Sequence, residues 1–376
     1  MREYPLSPLH QQQLDASGQP AGSAFHTRQL SFSFGEVVDR TRLVAAWQDL
    51  TTTHPILRTA LDPETATTWQ EFDDDITAWA QVDWQKDTPD DLSKAWNKLA
   101  ATDAADPVAT GHRITTIALP DGALHILWSY HDLLVDEPAI RHLLVEWLLR
   151  YEGDTRDVAP DDPAAAFAAL TEHDSEEATW RSHFQNAPAS RPLILFPLPE
   201  KNAPSDQRET VSHTFEREHS KALSEAAKSM QVDPVDLIEA AWVCLLAPAV
   251  SSGDLAILET LRLPVTAVAR SEARVPRRQR LASDAKVSAF AQAVAQSRTD
   301  TAHVGTWTAN QITDVLPDDV DPSVATRPAA AFRYRPGDLN DHLHARLPRW
   351  LGADAQFLGH DPAHLTLVYT ASDRAS

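Results

Sequence analysis

The chain has 376 residues, 43% of them hydrophobic, and a net charge of -21 at neutral pH. That length buries a large core and divides naturally into two or three domain-sized units, and the apolar fraction excludes a disordered chain. The acidic balance argues against nucleic acid or an anionic membrane surface as the main partner.

The first residues, Met1-Arg2-Glu3-Tyr4-Pro5, lack the apolar core of a signal peptide, which points to a cytoplasmic setting. Residues 4–14 read as an extended entry into a short helix, with Gln11, Gln12 and Gln13 inside it. Residues 29–34 alternate, placing Leu30, Phe32 and Phe34 on one face of a half-buried strand. Asp39 caps a helix carrying Leu43, Trp47 and Leu50. Pro55 forces His54 out of the helical region, so the phrase Ile56-Leu57-Arg58-Thr59 opens a strand that runs to Leu61. A stretch rich in Asp, Thr and Ala follows, with Trp79, Trp84 and Trp96 turned inward and a helix over 91–102. Residues 114–119 and 124–130 form a hairpin across Pro120-Asp121-Gly122-Ala123.

The second hairpin strand ends in a cluster of ionisable groups: His131, Asp132, Asp136 and Glu137. A helix opens at once with Pro138 in its first turn, presents Ile140, Leu143, Leu144, Trp147, Leu148 and Tyr151 on one face, and stops at Gly153. Charge at the end of a buried strand is costly and needs a reason. Residues 154–163 carry the Pro, Asp and Gly of a linker, and a helical stretch then reaches Phe184.

In the second half, 193–199 and 209–215 read as extended. Helices cover 219–230 and the stretch that Asp233-Pro234 opens; the latter turns Leu237, Ala241, Cys244 and Leu245 inward, so Cys244 is a core residue and not a nucleophile. As the single cysteine it also excludes an internal disulfide. A strand over 254–260, a basic run over 274–280, a helix over 284–297 and strands over 329–334 and 365–370 complete the chain. His303, His342 and His344 have no metal-ligand spacing, and no metal site is expected.

The entry phrase, the Leu57-Arg58-Thr59 phrase and the segment 131–137, in this order, resemble the condensation domains of nonribosomal peptide synthetases. The family's motif is two histidines, three apolar residues and Asp-Gly. Here it reads His131-Asp132-Leu133-Leu134-Val135-Asp136-Glu137, so Asp132 replaces the second histidine and Glu137 the glycine. The resemblance implies an α/β fold of two chloramphenicol acetyltransferase-like lobes, 1–165 and a shortened 166–376, meeting in a V-shaped pseudo-dimer around an inter-lobe tunnel. It implies no bound cofactor; the substrates ride on the phosphopantetheine of peptidyl or acyl carrier proteins, and the second motif histidine is the base or positioning group. It also implies a structural ion pair between Arg58 and Asp136.

Asp132 is a poor substitute for that histidine, since its ordinary pKa of about 3.9 makes it a weak base at neutral pH. Glu137, replacing a residue without a side chain, is expected to narrow the passage. The first reading is a condensation-like protein that binds a carrier protein, a tailoring oxygenase or a synthetase module without condensing anything. Arg274, Arg277, Arg278 and Arg280 are its candidate docking patch, weighed against a plain solvated loop. The second reading is an acyltransferase with an altered centre, forming an amide or ester through Asp132 or through a His131 that a one-residue bulge carries into place. A metal hydrolase and a serine hydrolase fit poorly: the Asp-x-x-x-Asp spacing matches no familiar metal loop, and no Gly-x-Ser-x-Gly turn exists.

Overall fold

A computed structural model of the chain describes residues 1–34, 37–62, 64–65, 67–154, 161–170, 177–190, 211, 213–250, 253–263, 267–302, 304–336, 343, 354–358 and 366–371. The strands of its first half are β1 (Arg2–Pro5), β2 (Thr27–Ser33), β3 (Thr59–Leu61), β4 (Thr68–Glu71), β5 (Ala78–Asp83), β6 (His112–Ala118) and β7 (Leu124–His131). Those of its second half are β8 (Asp254–Arg262), β9 (Glu272–Arg280), β10 (Ala330–Pro336), β11 (Asp354–Leu358) and β12 (Thr366–Ala371). The helices used below are α1 (Pro8–Ser17), α2 (Arg40–Thr53), α3 (Leu92–Ala104), α4 (Glu137–Glu152), α5 (Pro163–Ala169), α6 (Glu177–His183), α7 (Arg217–Met230), α8 (Pro234–Leu246) and α9 (Val287–Ala302).

The first lobe is a five-stranded sheet in the order β11-β2-β7-β6-β5, parallel only between β5 and β6. The alternation of β2 buries Leu30 and Phe32, and α2 and α4 lay Leu43, Trp47, Leu143 and Trp147 over them. Trp47 is the hub of that layer. Its ring meets Trp147 edge-on at 4.9 Å and Trp128 at 5.1 Å, and its indole N–H donates to Thr77 Oγ1 at 2.9 Å. Both covering helices start as the sequence requires: Asp39 accepts from the amides of Thr41 and Arg42, and Asp136 from that of Ala139. Gly153, in the left-handed region at φ +91°, ends α4.

The second lobe is a four-stranded sheet in the order β12-β10-β8-β9, with β10 parallel to both neighbours. Helices α8 and α9 cover it through Ala240, Val243, Phe290 and Val294. A third, small sheet, β1-β4-β3, carries the N-terminus.

The lobes exchange pieces. Strand β11 pairs antiparallel with β2, from Asp354 opposite Ser33 to Leu358 opposite Gln29, so the late part of the chain completes the first sheet. In return α1 seats Leu9 among Trp180, Phe184, Val275 and Trp307. Gln12 on the same helix donates to the carbonyls of Gly305 and Trp307 and accepts from the Arg274 amide. Segments near both ends of the chain thus pack on the lobe that the other half builds.

Most expected elements form. The strand expected from Ile56 begins only at Thr59, because residues 55–58 close a 3-10 turn that the proline starts. The extended segment 193–199 lies outside the described residues, as do His303, His342 and His344.

Two readings of the second half are corrected. Cys244 and Leu245 face outward, while α8 buries Asp236, Glu239, Ala240, Val243 and Leu246. The basic run is not a solvated loop but β9, with Arg277 fully buried and Arg278 nearly so. The two corrections have one cause. Arg277 lies 2.8 Å from Glu259 and bonds Glu239; Arg298 on α9 reaches Asp236, Glu239 and, at 2.7 Å, Glu259. Three carboxylates and two guanidiniums thus share one buried site, and burial pushes Glu239 above the usual carboxylate range. This cluster draws Asp236 and Glu239 inward beside Ala240, Val243 and Leu246. Arg278 is held by Asp254 and the carbonyls of Gln185 and Asn186, which leaves Arg280 as the one exposed side chain of the four arginines expected to dock a partner. Breaking a buried charge cluster from one side costs about 3–5 kcal/mol, whereas an exposed substitution stays within about 0.5 kcal/mol. Arg277→Ala should therefore unfold at much lower urea than the parent chain, and Arg280→Ala at nearly the same concentration.

Candidate functional site

Strand β7 carries the ionisable cluster to the seam between the lobes. Its pairing with β2 runs without interruption from His125 opposite Ser33 to His131 opposite Thr27, so no bulge displaces His131. The His131 amide donates to Gly111 O at 3.0 Å, and the Asp132 amide to His26 O at 2.9 Å. A tight turn then leads through Leu133, Leu134 and Val135, all buried, into α4.

Both nitrogens of His131 are engaged inside the first lobe. Nε2 donates to Ala21 O at 2.9 Å, and Nδ1 accepts from the Leu133 amide at 3.3 Å. The ring stacks on His26 with 5.6 Å between centroids and meets Trp69 edge-on at 5.8 Å. Burial disfavours its charged form and pulls its pKa down to about 4, against the opposing pull of Asp132.

Asp132 is saturated. Oδ1 lies 2.9 Å from His26 Nδ1, and Oδ2 lies 2.9 Å from Arg28 Nη2 and accepts from Gln13 Nε2 at 3.1 Å. Its carbonyl accepts from Arg270 Nη1 at 2.6 Å, and Arg270 Nη2 reaches Gln13 Oε1 at 3.3 Å. Burial alone would raise this carboxyl. The His26 hydrogen bond and the charges of Arg28 and Arg270 outweigh it and hold the pKa at about 2. A group so placed is an anion at any ordinary pH, with both its oxygens engaged, and is a very weak base.

The expected Arg58–Asp136 ion pair is not formed. One Asp136 oxygen caps α4 through the Ala139 amide at 3.0 Å. The other accepts from the Ser271 amide and hydroxyl at 2.5 and 3.0 Å and from the Glu272 amide at 2.7 Å, all at the start of β9. Two backbone amides and a hydroxyl from the second lobe thus take the place assigned to a guanidinium. Arg58 instead donates to the carbonyls of Thr51 and Phe72 and lies 3.4 Å from Glu71.

Glu137 also turns toward the second lobe. Its Oε1 accepts from Arg141 at 2.7 Å, and its Oε2 lies 2.9 Å from Arg335 and 3.2 Å from Arg333 on β10. Arg333 also forks onto Glu272 at 2.8 and 2.9 Å. Burial opposes the charged form of Glu137, but Arg335 and Arg333 prevail and hold its carboxyl below the usual range. Where a glycine would leave room, this side chain is a clasp between α4 and β10.

The sequence flagged the acids but not what neutralises them. Gln13, His26, Arg28 and Arg270 are the missing half of the site. A buried aspartate demands such donors, and Arg28 and His26 sit beside it only because β2 is the neighbour of β7. That adjacency is a fact of topology and leaves no local mark in the chain.

A family model described as "Condensation domain" matches residues 1–260. Among curated proteins, chondramide synthase of Chondromyces crocatus is 23% identical over 245 residues, covering 60% of this chain and 6% of the synthase. A linear gramicidin synthase of Brevibacillus parabrevis is 23% identical over 260 residues, covering 65% of this chain and 3% of that synthase. The chain thus spans a small fraction of the length of the curated relatives it matches. Among solved structures, the condensation domain of the monacolin K polyketide synthase superposes with a TM-score of 0.75 at 17% identity, covering 100% of this chain and 90% of that one. The starter condensation domain of rhizomide synthetase gives 0.73 at 14% identity, covering 99% and 86%. These likenesses carry the two-lobed acetyltransferase-like fold, and the family match over most of the sequence carries the lineage: the chain belongs to the condensation-domain family.

Proposed function

We propose that this chain is a condensation-domain-like component of nonribosomal peptide and related secondary-metabolite biosynthesis that binds partners and does not form bonds between substrates. The observation that carries this reading is the state of Asp132. The place of the family's working histidine holds a carboxylate whose oxygens are used by His26, Arg28 and Gln13. Such a group neither takes a proton from an attacking amine near pH 7 nor donates a hydrogen bond to a forming oxyanion. His131 offers no replacement, since both its nitrogens are hydrogen-bonded and it is buried.

The partner class follows from the family: a peptidyl or acyl carrier protein presenting phosphopantetheine-tethered material, with a tailoring oxygenase or a synthetase module as a second occupant. The arginines of β9 do not form a docking patch, because Arg277 and Arg278 are buried. No helix among the described residues is long and apolar enough to cross a membrane.

A second reading keeps the enzyme. His26 Nδ1 faces Asp132, and its Nε2 has no hydrogen-bond partner among the described residues, the arrangement of an oriented imidazole base. Yet the His26 side chain has no exposed surface, so a tethered substrate does not reach it in this conformation. The binding reading is preferred on that ground.

Two measurements follow. With carrier proteins loaded with an acyl donor and an aminoacyl acceptor, the purified chain should retain the carriers on a column and release no amide or ester product. Steady turnover lost on Asp132→Ala, His131→Ala or His26→Ala would establish the enzyme instead. Second, Asp132→Asn leaves Arg28 without its buried counter-ion and should cost roughly 3 kcal/mol. The folded pKa of Asp132 lies below its unfolded value, so its stabilisation is complete above about pH 4 and fades toward pH 2. Urea unfolding of both chains should show a constant gap from pH 7 to 5 that closes between 4 and 2.

A further inference from the structure

We propose that His54, His142 and Glu146 form a three-ligand site for a divalent transition metal, with zinc the cation it fits best. His142 and Glu146 stand one turn apart on α4, and His54 is the residue that ends α2. One ligand atom from each lies within 4.8 Å of the other two. Two imidazoles and one carboxylate are a common protein ligand set for zinc with a fourth position open, and bonds of about 2.1 Å require only a modest inward movement of these side chains.

The surroundings point to a cation. His54 Nδ1 lies 3.2 Å from Asp161 Oδ2, which also accepts from the Val268 amide at 2.7 Å. On the other side of the ring, His54 Nε2 lies 2.9 Å from Glu146 Oε2. Two atoms of this kind are bridged either by a second ring proton or by a cation. The carboxylate behind the histidine is the outer contact that metal-bound imidazoles habitually make. Asp161 Oδ1 is buried and makes no hydrogen bond among the described residues. Arg150 Nη1 contacts Glu146 Oε2 at 2.8 Å, but Arg150 is itself shared with Asp49 at 3.0 Å. Glu146 Oε1, 2.9 Å from His142 Nε2, is the carboxylate oxygen that Arg150 Nη1 does not contact. His142 is 51% exposed, which gives the ion an entrance and a side for water.

The site binds α2 to α4 and, through Asp161 and Val268, to the segments that run between the lobes. It lies apart from Asp132, so its occupancy and the binding reading above stand or fall separately.

The test is a zinc titration of the chelator-stripped full chain against a chromophoric competitor, repeated with cobalt to read the ligand field. One zinc per chain, a four-coordinate cobalt spectrum and a zinc-dependent rise in Tm are expected. His142→Ala, at a largely exposed position, should keep the fold and lose at least tenfold in affinity. Asp161→Asn should weaken binding about 10–100-fold. Failure to retain zinc, or zinc binding unchanged in His142→Ala, would overturn the site and leave a second proton on His54 as what bridges Nε2 and Glu146 Oε2.

Discussion

A buried carboxylate must be answered, and the way Asp132 is answered governs the centre of this molecule. Its partners come from three separate parts of the chain: Gln13 from α1, His26 and Arg28 from the start of β2, and Arg270 from the segment before β9. The attraction inside a poorly solvated seam is large, and so is the cost of taking each ion out of water. The balance favours the folded chain only while every donor is in place. That requirement fixes the helix of the N-terminus, the second strand of the first sheet and an arginine of the second lobe around one residue.

The two neighbouring acids extend the same logic across the seam. Asp136 ends a turn in one lobe and receives the amides that begin a strand in the other, while Glu137 gathers Arg333 and Arg335. The three acids stand in one short segment, residues 131–137. Here each of its three acidic side chains is spent on protein contacts, two of them across lobes. Rigidity of the seam and the fixed negative charge of Asp132 are therefore two effects of one set of contacts.

The sequence made the architecture readable where the pattern was local. Alternation at Leu30, Phe32 and Phe34, the Asp39 and Asp136 caps and the apolar face of α4 each follow from spacing, and each is present. It misled where a buried polar cluster overrode the apolar pattern. Of the stripe through Leu237, Ala241, Cys244 and Leu245 only Leu237 packs on the core, while Asp236 and Glu239 turn inward because Arg277 and Arg298 are there. Arg277, read in one dimension with Arg274, Arg278 and Arg280, looks like part of a surface patch. The altered motif itself was legible residue by residue; its partners were not, because strand adjacency and the crossing of α1 and β11 between lobes arise only from the assembled fold.

That exchange of segments has a bearing on how the polypeptide reaches its native state. The outer edge of β2 stays bare until residues 354–358 emerge, more than 300 positions later in synthesis. The helix carrying Leu9 likewise waits for Trp307 and its neighbours before its apolar side is covered. The nascent first lobe thus keeps an open β edge and a partly uncovered helix until those residues are made, and contacts of such long sequence separation form slowly. Vectorial, lobe-by-lobe maturation on the ribosome is closed to this topology; both halves must be present before either is finished.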